Sequence, residues 1–225
     1  MKSVVLLSGG MDSTVNLFEA KSRGVVTLAL TIDYGQRAAQ KEITAAQKIT
    51  QKLAIPHKVL ALPFFAEFGT SSLIDTKQQL PLKDQVSIDD LSTSQKTAKS
   101  VWVPNRNGIL LNIAAGFAEA LKADIIVPGF NKEEATTFPD NSKEFMEQLT
   151  RALSFSTSNH IKVECYTVEL DKTQIFRRGS ELNVDWSLIW PCYQSFDKWC
   201  GQCESCQRAR RAFRANGVEH ENFMD

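Results

Sequence analysis

Two groups of residues combine type and spacing in a way that specifies chemistry. The first is Ser8-Gly9-Gly10-Met11-Asp12-Ser13-Thr14, which follows directly on an apolar run ending at Leu7. A strand that passes through a glycine-rich turn into a helix aims several backbone N–H groups and the positive helix end at one point, a seat for phosphate oxygens. Gly9 and Gly10 permit a close backbone approach that a Cβ forbids. Ser8, Ser13 and Thr14 add hydroxyl donors. Asp12 is ill suited to face bare phosphate, so it either orients the loop through backbone N–H groups or reaches a bound Mg²⁺. Neither GxxxxGK[ST] nor GxGxxG follows the first strand, which removes the P-loop lysine and the dinucleotide fingerprint.

The second group is Cys192, Cys200, Cys203 and Cys206, spaced C-x7-C-x2-C-x2-C. Four thiolates at such spacing suit one tetrahedral Zn²⁺ in a closed structural site. An iron–sulfur cluster or four buried thiols are the alternatives. The fifth cysteine, Cys165, stands alone and reads as a small core residue.

The elements that must position these groups follow from periodicity. Apolar runs at 3–7, 25–32, 57–62, 125–129 and 161–164 read as strands. Helical spacing occupies 12–22, 37–54, 107–121, 141–155 and 172–182, and a basic helix follows the cysteines. The 107–121 segment is apolar nearly all round, which predicts a fully buried helix. This alternation predicts an α/β fold: a Rossmann-like open parallel sheet with helices on both faces, and a small C-terminal four-Cys zinc module. Residues 1–185 are read as the domain that carries the phosphate loop and 186–225 as the zinc module. The polar stretch 75–100 reads as a surface insertion, either a solvated spacer or a lid over the site.

The 225 residues carry 26 Lys+Arg and 26 Asp+Glu, so no global field favours nucleic acid or an anionic membrane. No apolar run approaches a membrane span, and no signal segment is read, which predicts a cytoplasmic protein with reduced thiols. The three histidines read as structural or surface groups. Arg208, Arg210, Arg211 and Arg214 read as a solvated helix face.

SGGMDS after the first strand resembles the pyrophosphatase-loop (PP-loop) enzymes, which cleave ATP between the α- and β-phosphates and adenylate an oxygen atom. Together with DYGQR at 33–37, VPNRN at 103–107, GFNKEEATTFPDNSKEF at 129–145 and the four cysteines, the chain resembles the QueC family. The resemblance spans nearly the whole chain outside 75–100. It implies conversion of 7-carboxy-7-deazaguanine, ammonia and ATP to a 7-cyano nitrile, through an adenylated carboxylate and then an adenylated amide. It implies ATP, Mg²⁺ and one Zn²⁺ as cofactors, small molecules as the partners, and a homodimer. No room remains for an amidotransferase domain, so ammonia arrives free or from a partner.

In an open parallel sheet the ligand lies beyond the carboxyl ends of the strands. That places ATP on Leu7, Ser8, Gly9, Gly10, Met11, Asp12, Ser13 and Thr14, with Met11 pointing away from phosphate. Adenine is expected near Thr31, Asp33 and Tyr34, although Tyr34 also suits rim packing. Arg37 is a second phosphate candidate or a solvated charge. Arg106 is a candidate for the charge that develops during adenylation, and Asn107 either caps its helix or meets substrate. Lys172 opens a helix, where a cation gains nothing from the dipole, and this favours a phosphate contact. Asp12, Arg106 and Lys172 form the expected catalytic set. Asn131, Glu133, Phe138 and Asp140 are the candidates for the deazapurine, with core packing open for Phe138 and helix capping open for Asp140.

Overall fold

The computed structural model describes residues 1–69 and 71–224. Asp225, the last residue assigned to the C-terminal module, lies outside the described residues, as does Thr70. Five strands form one all-parallel sheet: β1 (Lys2–Leu6), β2 (Val25–Asp33), β3 (His57–Ala61), β4 (Ile125–Val127) and β5 (Lys162–Val163), in the order β3-β2-β1-β4-β5. Central strands of a parallel sheet are covered on both faces, so β1 and β4 read as unbroken apolar runs, and Val4, Val5, Ile126 and Val127 are fully buried. The chain moves outward from β1 to β3 and then crosses back to β4. The order therefore reverses between β1 and β4, and a crevice opens there at the carboxyl ends.

The helices are α1 (Met11–Arg23), α2 (Ala39–Leu53), α3 (Leu91–Val101), α4 (Arg106–Ala120), α5 (Lys132–Ala135), α6 (Lys143–Ser156), α7 (Lys172–Glu181) and α8 (Glu204–Ala215). Right-handed crossovers place α1 and α2 on one face of the sheet and α4 and α6 on the other. α2 stops at Ala54 in the left-handed conformation, two residues before Pro56. α7 opens on a capping box in which Asp171 accepts from the Gln174 N–H and Gln174 reaches back to Asp171. α8 packs on α7 and ties the C-terminal segment to the sheet domain.

Two expectations need correction. The 75–100 stretch, read as a solvated spacer or a lid, is not a solvated spacer. Its second half is α3, capped by Asp90, whose carboxylate accepts from the Thr93 N–H at 2.7 Å. Leu80, Val86, Ala98 and Val101 bury against the rest of the molecule. Few aromatics and many Ser, Thr and Lys residues hid an amphipathic helix. The helix α4 is not buried all round: Leu111, Ala114, Ala115 and Ala118 face the sheet, while Ile109, Ile113 and Phe117 remain half-buried.

Candidate active site

The carboxyl ends of β1, β2 and β4 open into a cleft of about 240 Å³. Its floor is the loop from Leu7 to Ser13. Gly9 holds a φ of +75°, and a Cβ there would lie 2.8 Å from the Ala45 Cβ of α2. Gly129, beyond β4, comes so close that a Cβ would lie 2.6 Å from the Ser13 nitrogen. Glycine at both positions lets α2 and the β4 end press on the loop. The Ser8 and Ser13 hydroxyls lie 3.0 Å apart, and the Gly10 N–H donates to Ser8 Oγ at 3.3 Å. The leading N–H groups of α1 have no acceptor within the helix, and the residues that carry them, Met11, Asp12 and Ser13, line the cleft. Leu7, Ser8, Gly10, Met11, Asp12 and Ser13 line it. Gly9 and Thr14 brace it from behind, through the Trp190 N–H on Gly9 O at 2.7 Å and the Thr14 hydroxyl on Gly10 O at 2.7 Å. Met11 forms part of the lining and is buried in the core cluster.

On one flank stands a buried charged cluster. Lys172 pairs with Asp12 and with Glu134, the latter at 3.0 Å, and Asn131 donates to Asp12 Oδ2 at 3.2 Å. The Asp12 carboxylate accepts from no backbone N–H among the described residues. Its Oδ1 is buried with no partner among the described residues. Burial works against the charge on Glu134, but Lys172 and Arg208 outweigh it and hold this carboxyl down at about 2. Burial also opposes the charge on Lys172, and the two carboxylates overcome this and push its pKa up. The cation at the start of α7 is thus explained by two carboxylates rather than by the helix dipole.

The other flank is built from α2, α4 and the turn after β2. Arg106 donates to the Tyr34 hydroxyl at 3.1 Å, and the Tyr34 ring packs on Phe65 with centroids 5.6 Å apart. Glu42 faces the cleft from α2. Gln36 Nε2 donates to it at 2.9 Å and to Ile32 O at 3.1 Å, while Gln36 Oε1 accepts from the Tyr34 N–H at 2.9 Å. Burial pushes the Glu42 carboxyl up to about 7, with the Gln36 hydrogen bond opposing it.

Several expected contacts are turned elsewhere. Side chains alternate along β2, so Leu30, Ile32 and Tyr34 reach the cleft, whereas Thr31 is on the opposite face with its hydroxyl on Leu7 O at 2.6 Å. Asp33 closes the turn by accepting from the Gly35 N–H at 3.0 Å. Arg37 lines the cleft. It donates to the carbonyls of Ser72, Asp75 and Gln78, and so fastens the 71–79 segment to the cleft rim. Asn131 caps α5, accepting from the Glu134 N–H at 2.9 Å. Glu133 points into α8, where it pairs with Arg208 at 2.6 Å and Arg211 at 2.5 Å. Its neighbour Glu134 takes the place at the cleft. Asp140 lies behind the wall, and Ser142, not Asp140, caps α6. Asn107 is not a cap either: Asn105 holds that position, while Asn107 lines the cleft and donates to Asp140 O at 3.4 Å. Phe138 lines the mouth and stacks on Trp102.

The arginines of α8 are a solvated face only in part, with Arg214 exposed. Arg208 is buried between Glu204 and Glu133, Arg211 bridges Glu133 and Asp89, Arg210 lies over the Phe223 ring, and Arg214 pairs with Glu219. Glu42, Gln36, Glu134, Trp190 and Tyr193 were missed as lining residues. Glu42 left a signal. It sits on the stripe Ala38, Ala45, Ala46 and Ile49, the buried face of α2, where a charge is out of place.

The four cysteine sulfurs gather within 4.8 Å of one another, all buried. Cys200 and Cys206 Sγ lie 3.9 Å apart, close to the ~3.8 Å between sulfurs of a tetrahedral zinc–thiolate site. Backbone N–H groups of Gln194, Gln202 and Cys203 point at Cys192 and Cys200 sulfurs, as thiolates require. The donor set fits zinc. Cys192 also lines the cleft beside Trp190 and Tyr193, so the cysteine module supplies one of its walls. Cys165, half-buried with its Sγ 3.4 Å from Phe130 O, packs as a small core residue.

The family model described as "Queuosine biosynthesis protein QueC" matches residues 2–217. A curated protein of Bdellovibrio bacteriovorus, described as "7-cyano-7-deazaguanine synthase", is 59% identical over 224 residues, covering 99% of this chain and 97% of that protein. Proteins of the same description are similar in Desulforamulus reducens (51% over 225 residues, 100% and 99% covered) and Methanocaldococcus jannaschii (44% over 227 residues, 97% and 97% covered).

Proposed function

This chain belongs to the QueC family, and from that premise we propose how its cleft makes 7-cyano-7-deazaguanine from 7-carboxy-7-deazaguanine, ammonia and ATP. The observation that carries the reading is the meeting of the Ser8–Ser13 loop, Lys172 and Arg106 at the β1/β4 crevice. ATP lies with its β- and γ-phosphates on the loop N–H groups and the Ser8 and Ser13 hydroxyls. Its adenine rests on the apolar surface of Leu30, Ile32 and Leu110. The substrate carboxylate attacks the α-phosphorus and pyrophosphate leaves. Arg106 and Lys172 stabilise the charge that develops on the phosphate oxygens. Ammonia then displaces AMP and leaves an amide. The amide oxygen attacks a second ATP, pyrophosphate leaves again, one nitrogen proton is lost to give the neutral imidate, and loss of AMP with the second nitrogen proton gives the nitrile.

The buried, unpartnered Oδ1 of Asp12 fits a Mg²⁺ ligand, and Mg²⁺ held there would neutralise phosphate charge. Cys192, Cys200, Cys203 and Cys206 would hold one structural zinc, fixing the wall that carries Trp190 and Tyr193. The deazapurine ring lies against Phe138 and Asn107. Asn131, Glu133 and Asp140 act behind the wall as supports for Asp12, α8 and Arg106. The half-buried Ile109, Ile113 and Phe117 of α4 form the face of the homodimer. No nucleic-acid contact is proposed, since the basic residues of α8 are already paired. No helix among the described residues is long and apolar enough to cross a membrane. A cytoplasmic location keeps the thiols reduced for the metal.

The test is product mass after incubation with ATP, Mg²⁺, ammonia and 7-carboxy-7-deazaguanine. The nitrile is expected, with two AMP released per nitrile. Amide without nitrile, or AMP release only with tRNA, would overturn the reading. Metal analysis is expected to give one zinc per chain, and iron in its place would overturn the zinc assignment.

A further inference from the structure

Both nitrogen steps of the proposed reaction shed a proton from nitrogen. Ammonia loses one as it becomes the amide, and the adenylated amide loses two: one as it becomes the neutral imidate and one as AMP departs and the C≡N bond completes. A base must receive these protons at the reacting carbon. The cleft offers three carboxylates. Asp12 and Glu134 are bound to Lys172. Glu42 is different: it lines the cleft, is held by Gln36, and makes no ion pair among the described residues. Its peptide carbonyl would lie 3.0 Å from a Cβ on Gly9, so α2 sets Glu42 beside the phosphate loop. No histidine lines the cleft among the described residues.

Resting on the family's reaction, we propose that Glu42 is the general base that takes the nitrogen-bound protons in amide and nitrile formation. In the first step the acyl-adenylate C–O bond breaks, a C–N bond forms, AMP leaves and the ammonia proton passes to a Glu42 oxygen. In the second, the O-adenylated amide first gives up one nitrogen proton to become the neutral imidate; the electron pair of the remaining N–H bond then becomes the third C–N bond, the C–O bond to AMP breaks, and both protons pass in turn to Glu42. The carboxylate returns each proton to water between steps. Gln36 fixes the side chain through one oxygen and leaves the other for substrate. Burial raises this carboxyl to about 7, which suits proton transfer near neutral pH. The charged and titratable groups around it are Arg106 from α4, Asp33 from the end of β2 and the Tyr34 hydroxyl.

The experiment compares wild-type enzyme with Glu42→Gln and Glu42→Asp. Acid-dependent exchange between pyrophosphate and ATP reads adenylation of the carboxylate, which needs no nitrogen proton transfer. Conversion of the supplied amide to nitrile reads the second step without ammonia, whose own protonation would confuse a pH profile. Exchange is expected to persist in Glu42→Gln while amide-to-nitrile conversion falls on the order of 10²–10⁴-fold. The wild-type rate of conversion is expected to rise through about pH 7, and that rise should vanish in Glu42→Gln and partly return in Glu42→Asp. Normal conversion by Glu42→Gln, or a retained rise near pH 7, overturns the proposal. Loss of exchange as well assigns Glu42 to holding ATP or acid and overturns it too. Absence of acid-dependent exchange in the wild type would instead sink the reading of the function, which is a separate failure.

Discussion

The two flanks of the cleft treat buried charge in opposite ways. On the Asp12 side, one cation sits between two carboxylates and Asn131 completes the cluster. On the Glu42 side, the carboxyl has an amide donor, and the nearby Arg106 is engaged by Tyr34. A compensated cluster keeps fixed charges whatever the ligand does, which suits the holding of phosphate. An uncompensated carboxyl exchanges its proton near neutral pH, which suits a reaction that must release protons. The flank that holds and the flank that titrates thus face each other across the phosphate loop.

The harshest way to break this contrast is to remove the cation from the compensated side. Lys172→Met leaves Asp12 and Glu134 buried together without a partner. Removing one member of a buried ion pair destabilises by about 3–5 kcal/mol. Urea unfolding should show a loss of that size, and acid-dependent pyrophosphate exchange should be abolished. Adding Asp12→Asn should recover part of the stability and none of the exchange. Equal stability of Lys172→Met and wild type would mean that the cluster is not charged as described.

On the titrating flank, Arg106→Ala should act mainly on chemistry. Exchange should fall on the order of 10²–10³-fold, as for loss of one donor to developing charge. Stability should fall by about 1 kcal/mol, the net worth of its hydrogen bond to Tyr34. A large stability loss with near-normal exchange would make Arg106 a packing residue. The third change tests the support behind the compensated side. Glu133→Gln loosens Arg208 and Arg211 and weakens the acceptor of the Lys172 N–H. It should cost about 1–3 kcal/mol of stability, with little change in the rate of exchange, because Glu133 faces α8 and not the cleft.

The sequence made the compensated flank half legible. The turn from an apolar strand through SGGMDS into a helix is a local pattern, and local backbone geometry follows from it. The five strands and their helices were equally plain, because an all-parallel sheet needs apolar runs separated by helical periods. Three kinds of feature were not readable. Glu133 and Glu134 are neighbours, and only the short α5 decides which one meets Lys172 and which turns to Arg208. Thr31 was favoured over Leu30 and Ile32 because polar residues suggest ligand contact, but strand alternation sends it to the other face. The arginines of α8 look solvated in one dimension. Their acidic partners Glu133 and Asp89 lie more than 70 residues away in the chain. Glu42 was overlooked for the converse reason: its motif, DYGQR, ends five residues earlier, and the charge on an alanine-lined helix face was the clue.

The last effect is the most specific to the contrast between flanks. The Glu42 carboxyl sits at about 7 in the folded protein because of burial, against an ordinary value of about 4.3 in an unfolded chain. Between those values the folded state binds more protons than the unfolded state. Stability from this group therefore falls as pH rises through that window, and the full penalty is present above pH 7. Glutamine in its place does not titrate and still accepts from Gln36. Glu42→Gln should thus melt higher than wild type at pH 8, and the gain should shrink towards pH 5. In a domain of this size each 1 kcal/mol corresponds to roughly 2–4 °C, so a shift of a few degrees is readable by calorimetry. A compensated carboxylate predicts the opposite trend: Glu134, held at about 2, contributes stability that is present at neutral pH and lost only as pH falls towards its folded value. A Glu42→Gln gain that stays constant across pH, or grows towards acid, would show that both flanks hold their carboxylates in the same way.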